Sequence, residues 1–198
     1  LAGCGFFLSL PDGTVIAATT AHSVAHAATS LTLDRIALGV AGHSELVAEF
    51  DSLVGPPGRP LKPDDLTMDY LLLQVKEPIS PELVLVPDPR GAPQPGERVS
   101  LFSGLADPRH GPRAREGTVL TVSEKAVWVL MDDRFDPRLM SGSPFLSQHT
   151  AQLVGMAVAA SPRGTRLLLG MHPIASLLQI AGSASGFPSL EEIESVSD

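Results

Sequence analysis

The stretch "VPDPRGAPQPGE", residues 86–97, limits the fold more than any other, because four of its residues are proline and two are glycine. Proline lacks a backbone N–H and fixes φ, so such a run forms neither a helix interior nor a central strand. It falls near the middle of the 198-residue chain and divides it into two halves. On both sides the pattern is the same: apolar runs of strand length, bounded by turn residues. Before it come "CGFFLSL", "TVIAATTAH", "SLTLDRIALGV", "ELVAEFDSLVG" and "MDYLLLQVKEP"; after it come "RVSLFSG", "EGTVLTV", "KAVWVLMD", "QLVGMAVAAS" and "RLLLGMH". The run in "MDYLLLQV" is nearly continuous and predicts a strand buried on both faces. One short helix is expected after Pro173, in "HPIASLLQIAG", ending near Gly182. The expected organisation is a β half over 1–85, a connector over 86–97, a second β half over 98–182, and an acidic tail or linker over 183–198. An all-β protein follows, either a pair of barrels or a sandwich.

Composition narrows the partners. The net charge is −8 and the pI about 5.1, with arginines scattered singly. That pattern argues against nucleic acid and against an anionic membrane surface. No apolar run approaches the roughly 18 residues of a membrane span. Cys4 is the only cysteine, so no internal disulfide forms, and no Cys/His spacing suggests a metal site. A disulfide-free design of this size fits a bacterial or reducing compartment better than a secreted animal protein. "LAGC" has the look of a lipid-attachment box, but strand-like sequence follows at once, so Cys4 reads as a buried strand cysteine.

Three residues gain meaning together. His22 follows a strand in "TTAHSVAH", Asp69 opens "MDYLLLQV", and Ser141 lies in "RLMSGSPF". A serine hydroxyl becomes a nucleophile when an imidazole accepts its proton. A carboxylate in turn holds the imidazole's tautomer and stabilises its cation. His22 and Asp69 precede the proline-rich connector and Ser141 follows it, as a site between two halves requires. His26 is a rival base, Asp64 and Asp65 are rival carboxylates, and Ser143 is a rival nucleophile. This chemistry needs no cofactor and no metal.

The motifs also resemble a known family, the trypsin-like serine peptidases. "GCGFFLSLPDGTVIAATTAHSV" is similar to their first barrel, and "MDYLLLQV" to their Asp-bearing strand. "PGERVSLFSGLADP" resembles the start of the second barrel in the disulfide-free, bacterial HtrA-like (Deg) branch. "MSGSPFLSQHTAQLVGMAV" and "LLLGMHPIASLL" resemble the nucleophile loop and the closing segment before the last helix. The resemblance runs from about residue 3 to 182. It implies two six-stranded antiparallel β-barrels, with a short C-terminal helix. It implies a serine endopeptidase acting on a peptide or protein substrate, with a His22–Asp69–Ser141 triad and Ser143 as a packing residue. Other domains and oligomer partners are left open.

The family commonly carries glycine two residues before the nucleophile, where this chain has Leu139. The resemblance places the oxyanion hole at the backbone N–H groups of Leu139 and Ser141. Two backbone states are compatible with a leucine there: one adopting the angles glycine favours, and one with a flipped peptide and a collapsed hole. The second state would suit a peptide-binding module with little turnover. The resemblance also implies a substrate pocket with Phe135 at its base and walls from Val158, Ala159, Ala160, Ser161, Gly170, Met171 and His172. No acidic residue falls at the base unless Asp133 or Asp136 is displaced into it, so a small or medium apolar side chain is expected before the scissile bond. His172 raises a second option, recognition of an acidic side chain.

Overall fold

The computed structural model describes residues 3–27, 33–40, 43–60, 65–103 and 113–193, the side chains of residues 26, 27 and 113 excepted. Twelve strands and two helices follow in order: β1 (Phe6–Ser9), β2 (Val15–Thr19), α1 (Ala21–Ala27), β3 (Ile36–Gly39), β4 (Leu46–Phe50), β5 (Leu71–Gln74), β6 (Val84–Leu85), β7 (Arg98–Ser103), β8 (Arg113–Val122), β9 (Val127–Met131), β10 (Pro144–Ser147), β11 (Leu153–Arg163), β12 (Arg166–Pro173) and α2 (Ile174–Ser183).

Strands β7 to β12 close into an antiparallel barrel in the order β10-β11-β12-β9-β8-β7, with β7 returning to β10. Its interior is filled by the inward residues of each strand, among them Val99, Leu101, Val119, Val129, Phe145 and Leu169. Alternation along the strands separates this face from the outer one.

Among the described residues, the N-terminal half does not form the second closed barrel expected of it. Its six strands form a four-stranded sheet, β5-β2-β1-β6, and a separate β3–β4 ribbon. The two are joined through the segment after β4, by the Leu53–Leu73 bridge and by the Gln74 N–H donating to the Ser52 carbonyl, 3.0 Å. Within "GPPGRP", residues 55–60, Pro56 and Pro57 interrupt the ladder, since proline cannot donate to it; Gly58 N–H resumes it on Tyr70 O at 3.0 Å and Arg59 N–H on Met68 O at 2.7 Å. Side chains nevertheless close the half: Phe7, Ala17, Phe50, Leu53, Leu71 and Leu73 share one core.

A third core lies between the halves. Phe6, Leu8, Ile16, Ala18 and Leu72 meet Leu153, Met156, Val158, Ile174 and Leu177 there. Successive side chains of β1, β2 and β5 therefore feed two different cores. That is why "LLL" in β5 has no polar face: Leu71 and Leu73 point one way, Leu72 the other. Helix α2 starts after Pro173, as expected, and buries Ile174, Leu177 and Ala181 on one stripe.

The acidic stretch after α2, expected as a tail or linker, crosses back onto the N-terminal half as far as it is described. Ser189 bridges Ser52, the Pro188 carbonyl accepts from Leu53 N–H at 2.8 Å, and Leu190 and Ile193 are buried. Two apolar residues one short turn apart outweigh the surrounding charge. Residues 194–198 lie outside the described part. Cys4, expected in a buried strand, instead precedes β1 and is half-buried. Among the described residues, no helix is long and apolar enough to cross a membrane.

Candidate active site

His22 lies at the start of α1, three residues beyond β2. Asp69 ends a single 3₁₀ turn, Leu66–Met68, just ahead of β5. Its side chain is fully buried, a placement that is costly for a carboxylate without donors. His22 supplies two: its backbone N–H reaches Oδ1 at 3.0 Å and its Nδ1 reaches Oδ2 at 2.6 Å. The ring is thereby fixed with Nε2 toward the C-terminal half, 2.8 Å from Ser141 Oγ. One chain of hydrogen bonds thus joins a buried carboxylate, an imidazole and a serine across the two halves.

The rivals are placed elsewhere. Asp65 caps the 3₁₀ turn, accepting from Thr67 N–H at 3.1 Å and Thr67 Oγ1 at 2.5 Å. Ser143 is buried and its Oγ has no partner among the described residues. Asp64 and the side chain of His26 lie outside the described part. Asp133 is exposed, and Asp136 is engaged by the Arg138 side chain.

The loop before β10 is fastened by turn and ladder bonds. Met140 N–H donates to Pro137 O (3.2 Å), Ser143 N–H to Met140 O (3.0 Å), and Gly142 N–H to Ala157 O (2.8 Å). Leu139 and Ser141 are the exceptions: neither N–H has an acceptor among the described residues. Leu139 takes φ 65°, the left-handed conformation for which glycine is the usual choice. It is the third residue of the Pro137–Met140 turn, and positive φ there is the mark of a type II turn. In a type I turn the Arg138–Leu139 peptide would be reversed. Gly142 follows the serine at φ 88°, and a Cβ on it would lie 2.0 Å from the Cys4 carbonyl oxygen. Only glycine fits there.

Beside Ser141 is a recess of about 30 Å³, walled by Ala157, Val158, Ala159 and Ala160, with Pro137, Met140 and Leu169 completing it. Val158, Ala159 and Ala160 were expected there; Met140, Pro137 and Leu169 were not, since an apolar residue in a loop reads equally well as core. Phe135 lines a neighbouring cavity of about 370 Å³ that shares Pro137 and Ala160 with the recess. The Arg115 guanidinium stacks on the Phe135 ring, 4.9 Å from its centre. The other expected pocket residues line neither space. Ser161 is exposed on β11, Gly170 packs against Leu66 and Trp128, and Met171 belongs to the barrel core.

His172 departs furthest from its expected role. It is fully buried, bonds Ser176 Oγ through Nε2 at 2.9 Å, and meets Tyr70 edge-on with ring centres 6.0 Å apart. Burial pushes its pKa down to about 4, against the opposing pull of the Asp69 charge. A neutral, enclosed imidazole presents no cation to an acidic substrate side chain.

No protein-family model and no curated protein matches the sequence. Solved structures do match in three dimensions. Deg5 is similar over 89% of this chain and 80% of its own, with TM-score 0.56 and 15% identity. A serine endoprotease from Yersinia pestis covers 89% of this chain with TM-score 0.57 and 14% identity; this chain spans 55% of its length. Kallikrein-related peptidase 10 covers 90% of this chain and 86% of its own, with TM-score 0.57 and 16% identity. The fold is that of the trypsin-like, or chymotrypsin-fold, serine proteases. The kallikrein matches as well as the other two, so the likeness defines the fold common to all three and singles out no branch.

Proposed function

We propose that this chain is a serine endopeptidase in which Ser141 is the nucleophile, His22 the general base and then acid, and Asp69 the group that orients His22. The observation that carries this reading is the pair of short contacts, Ser141 Oγ to His22 Nε2 at 2.8 Å and His22 Nδ1 to Asp69 Oδ2 at 2.6 Å. Ser141 Oγ attacks the peptide carbonyl carbon as its proton passes to Nε2. The carbonyl oxygen becomes an oxyanion, received by the N–H groups of Leu139 and Ser141. His22 then returns the proton to the leaving amine, and water repeats the sequence on the acyl-enzyme. Asp69 keeps Nδ1 protonated throughout.

Two backbone features support the oxyanion assignment. Both N–H groups lack an acceptor among the described residues, and the positive φ of Leu139 selects one of the two turn types. Each such donor is worth on the order of 100- to 1000-fold in turnover. The same φ counts against the rival reading, a peptide-binding module with a collapsed hole. The recess of about 30 Å³ among alanines favours a small apolar side chain before the scissile bond. The HtrA-like resemblance remains part of the proposal through its motifs alone.

Incubation with a diverse peptide library, with cleavage sites read by mass spectrometry, tests the reading. Cleavage after small apolar residues, abolished in Ser141→Ala, is expected. Saturable peptide binding without cleavage, unchanged in Ser141→Ala, would favour the binding module.

A further inference from the structure

Leu139 holds a backbone conformation that leucine resists, and such strain persists only where the surroundings over-determine it. One N–H of interest lies in the Arg138–Leu139 peptide and the other in the Met140–Ser141 peptide. The Leu139–Met140 peptide between them is held by its own turn bond to Pro137 and by a residue far away in sequence. The Cys4 thiol donates to the Leu139 carbonyl, with Sγ 3.3 Å from the oxygen. The Cys4 backbone N–H donates to the Ser141 carbonyl at 2.9 Å. One residue therefore takes the carbonyls of both residues whose N–H groups have no acceptor among the described residues.

Cys4 is itself anchored. Its carbonyl accepts from Thr19 Oγ1 at 2.6 Å, at the end of β2 and three residues before His22. The same carbonyl lies against Gly142, where no Cβ fits. Ser103 Oγ, 3.7 Å from the sulfur, can donate to it while the thiol hydrogen faces Leu139. The contacts run from the strand that delivers His22, through Cys4, to the loop that carries Ser141.

We propose that Cys4 is a positioning residue for the oxyanion hole, its thiol tethering the Leu139 carbonyl and so holding the two N–H donors in place. This rests on the peptidase reading. An S–H donor is weak. The tether is therefore worth about fivefold in rate and does not decide whether catalysis occurs at all.

The test compares wild type, Cys4→Ala and Cys4→Ser, with kcat expressed per active site titrated by a fluorophosphonate. The expected result for Cys4→Ala is a kcat lowered about fivefold, with KM within about twofold. Cys4→Ser keeps a donor and recovers most of the loss. Equal loss in both variants, an unchanged kcat, or a change in KM alone would overturn the proposal, since a role in folding lowers the titrated fraction and not the turnover per site. A crystal structure of Cys4→Ala reads the same claim without turnover. A turned Leu139–Met140 peptide, with either flanking N–H redirected, supports it, and an unchanged loop overturns it. An inert wild type would sink the peptidase reading alone, and the crystal structure would still decide the role of Cys4.

Discussion

In the C-terminal half, the nucleophile loop is fastened by backbone: Gly142 N–H to Ala157 O, and Ala157 N–H back to Ser143 O, both 2.8 Å. In the N-terminal half, His22 and Asp69 are fastened to each other, and the half around them is an open sheet, a ribbon and a shared core. A closed barrel sets a loop by register, whereas an open assembly depends on side-chain packing and on segments that arrive from elsewhere. Leu190 and Ile193 are such segments, reaching the N-terminal core from beyond α2. The difference teaches that the two parts of the site should fail for different reasons.

The largest expected effects lie in the triad, in the His22–Ser141 contact between the halves and the His22–Asp69 contact within the N-terminal one. Ser141→Ala should lower kcat by about 10⁶-fold and Asp69→Asn by about 10⁴-fold, since the amide favours the wrong His22 tautomer. Steady-state cleavage kinetics, normalised to folded protein concentration, check both. A loss in Asp69→Asn of less than about tenfold would mean that the buried carboxylate is structural.

The next effect separates the halves. Leu190→Ala should cost about 2–3 kcal/mol by leaving a cavity in the N-terminal core. Amide exchange should then rise in β1, β2 and β5 before it rises in the barrel strands. A uniform rise would show the halves to be one cooperative unit.

The connector between them supplies a pH-dependent counterpart. Arg90 bonds Asp88 at 2.6 Å and Glu97 at 2.9 Å, and Asp88 also accepts from Thr150 Oγ1 at 2.6 Å. The Arg90 guanidinium is the main cause that lowers both carboxyls to about 2. Because their folded pKa values lie below the unfolded values of about 4, the stabilisation is fully present above that pH. It is lost as pH falls from about 4 through 2. Arg90→Ala should destabilise the protein at pH 7, leaving Asp88 buried without its cation. In urea unfolding, it should also flatten the decline between pH 4 and 2. An unchanged acid limb would contradict this account.

The smallest effect is at the turn. Leu139→Gly removes left-handed strain but adds unfolded-state freedom, for a net gain of about 0.5 kcal/mol by thermal unfolding. A loss of stability would show that the leucine side chain packs productively despite its 43% exposure.

The proposed triad was legible because chemistry fixes the residue types and the family resemblance supplies their order. The motifs around His22, Asp69 and Ser141 named them, and the structure brings those side chains into contact. The conformation of Leu139 was not legible, because residue type disfavours positive φ and the contacts of the turn, among them a thiol 135 residues away, come from the fold. Strand β6 could not be read either. It is two residues long, and its pairing with β1 is parallel and comes from distant chain. His172 misled for a related reason: residue type says nothing of burial, and burial makes it neutral. In the stretch after α2, acidic composition hid two anchors.

The central claim is that Ser141 is activated by His22 held on Asp69. Reaction with a fluorophosphonate, followed by mass spectrometry of the adduct, tests it most directly. The account predicts one adduct, on Ser141, in wild type and a strongly reduced rate in His22→Ala. An adduct on Ser143, or none on wild type where a control peptidase reacts, would contradict it.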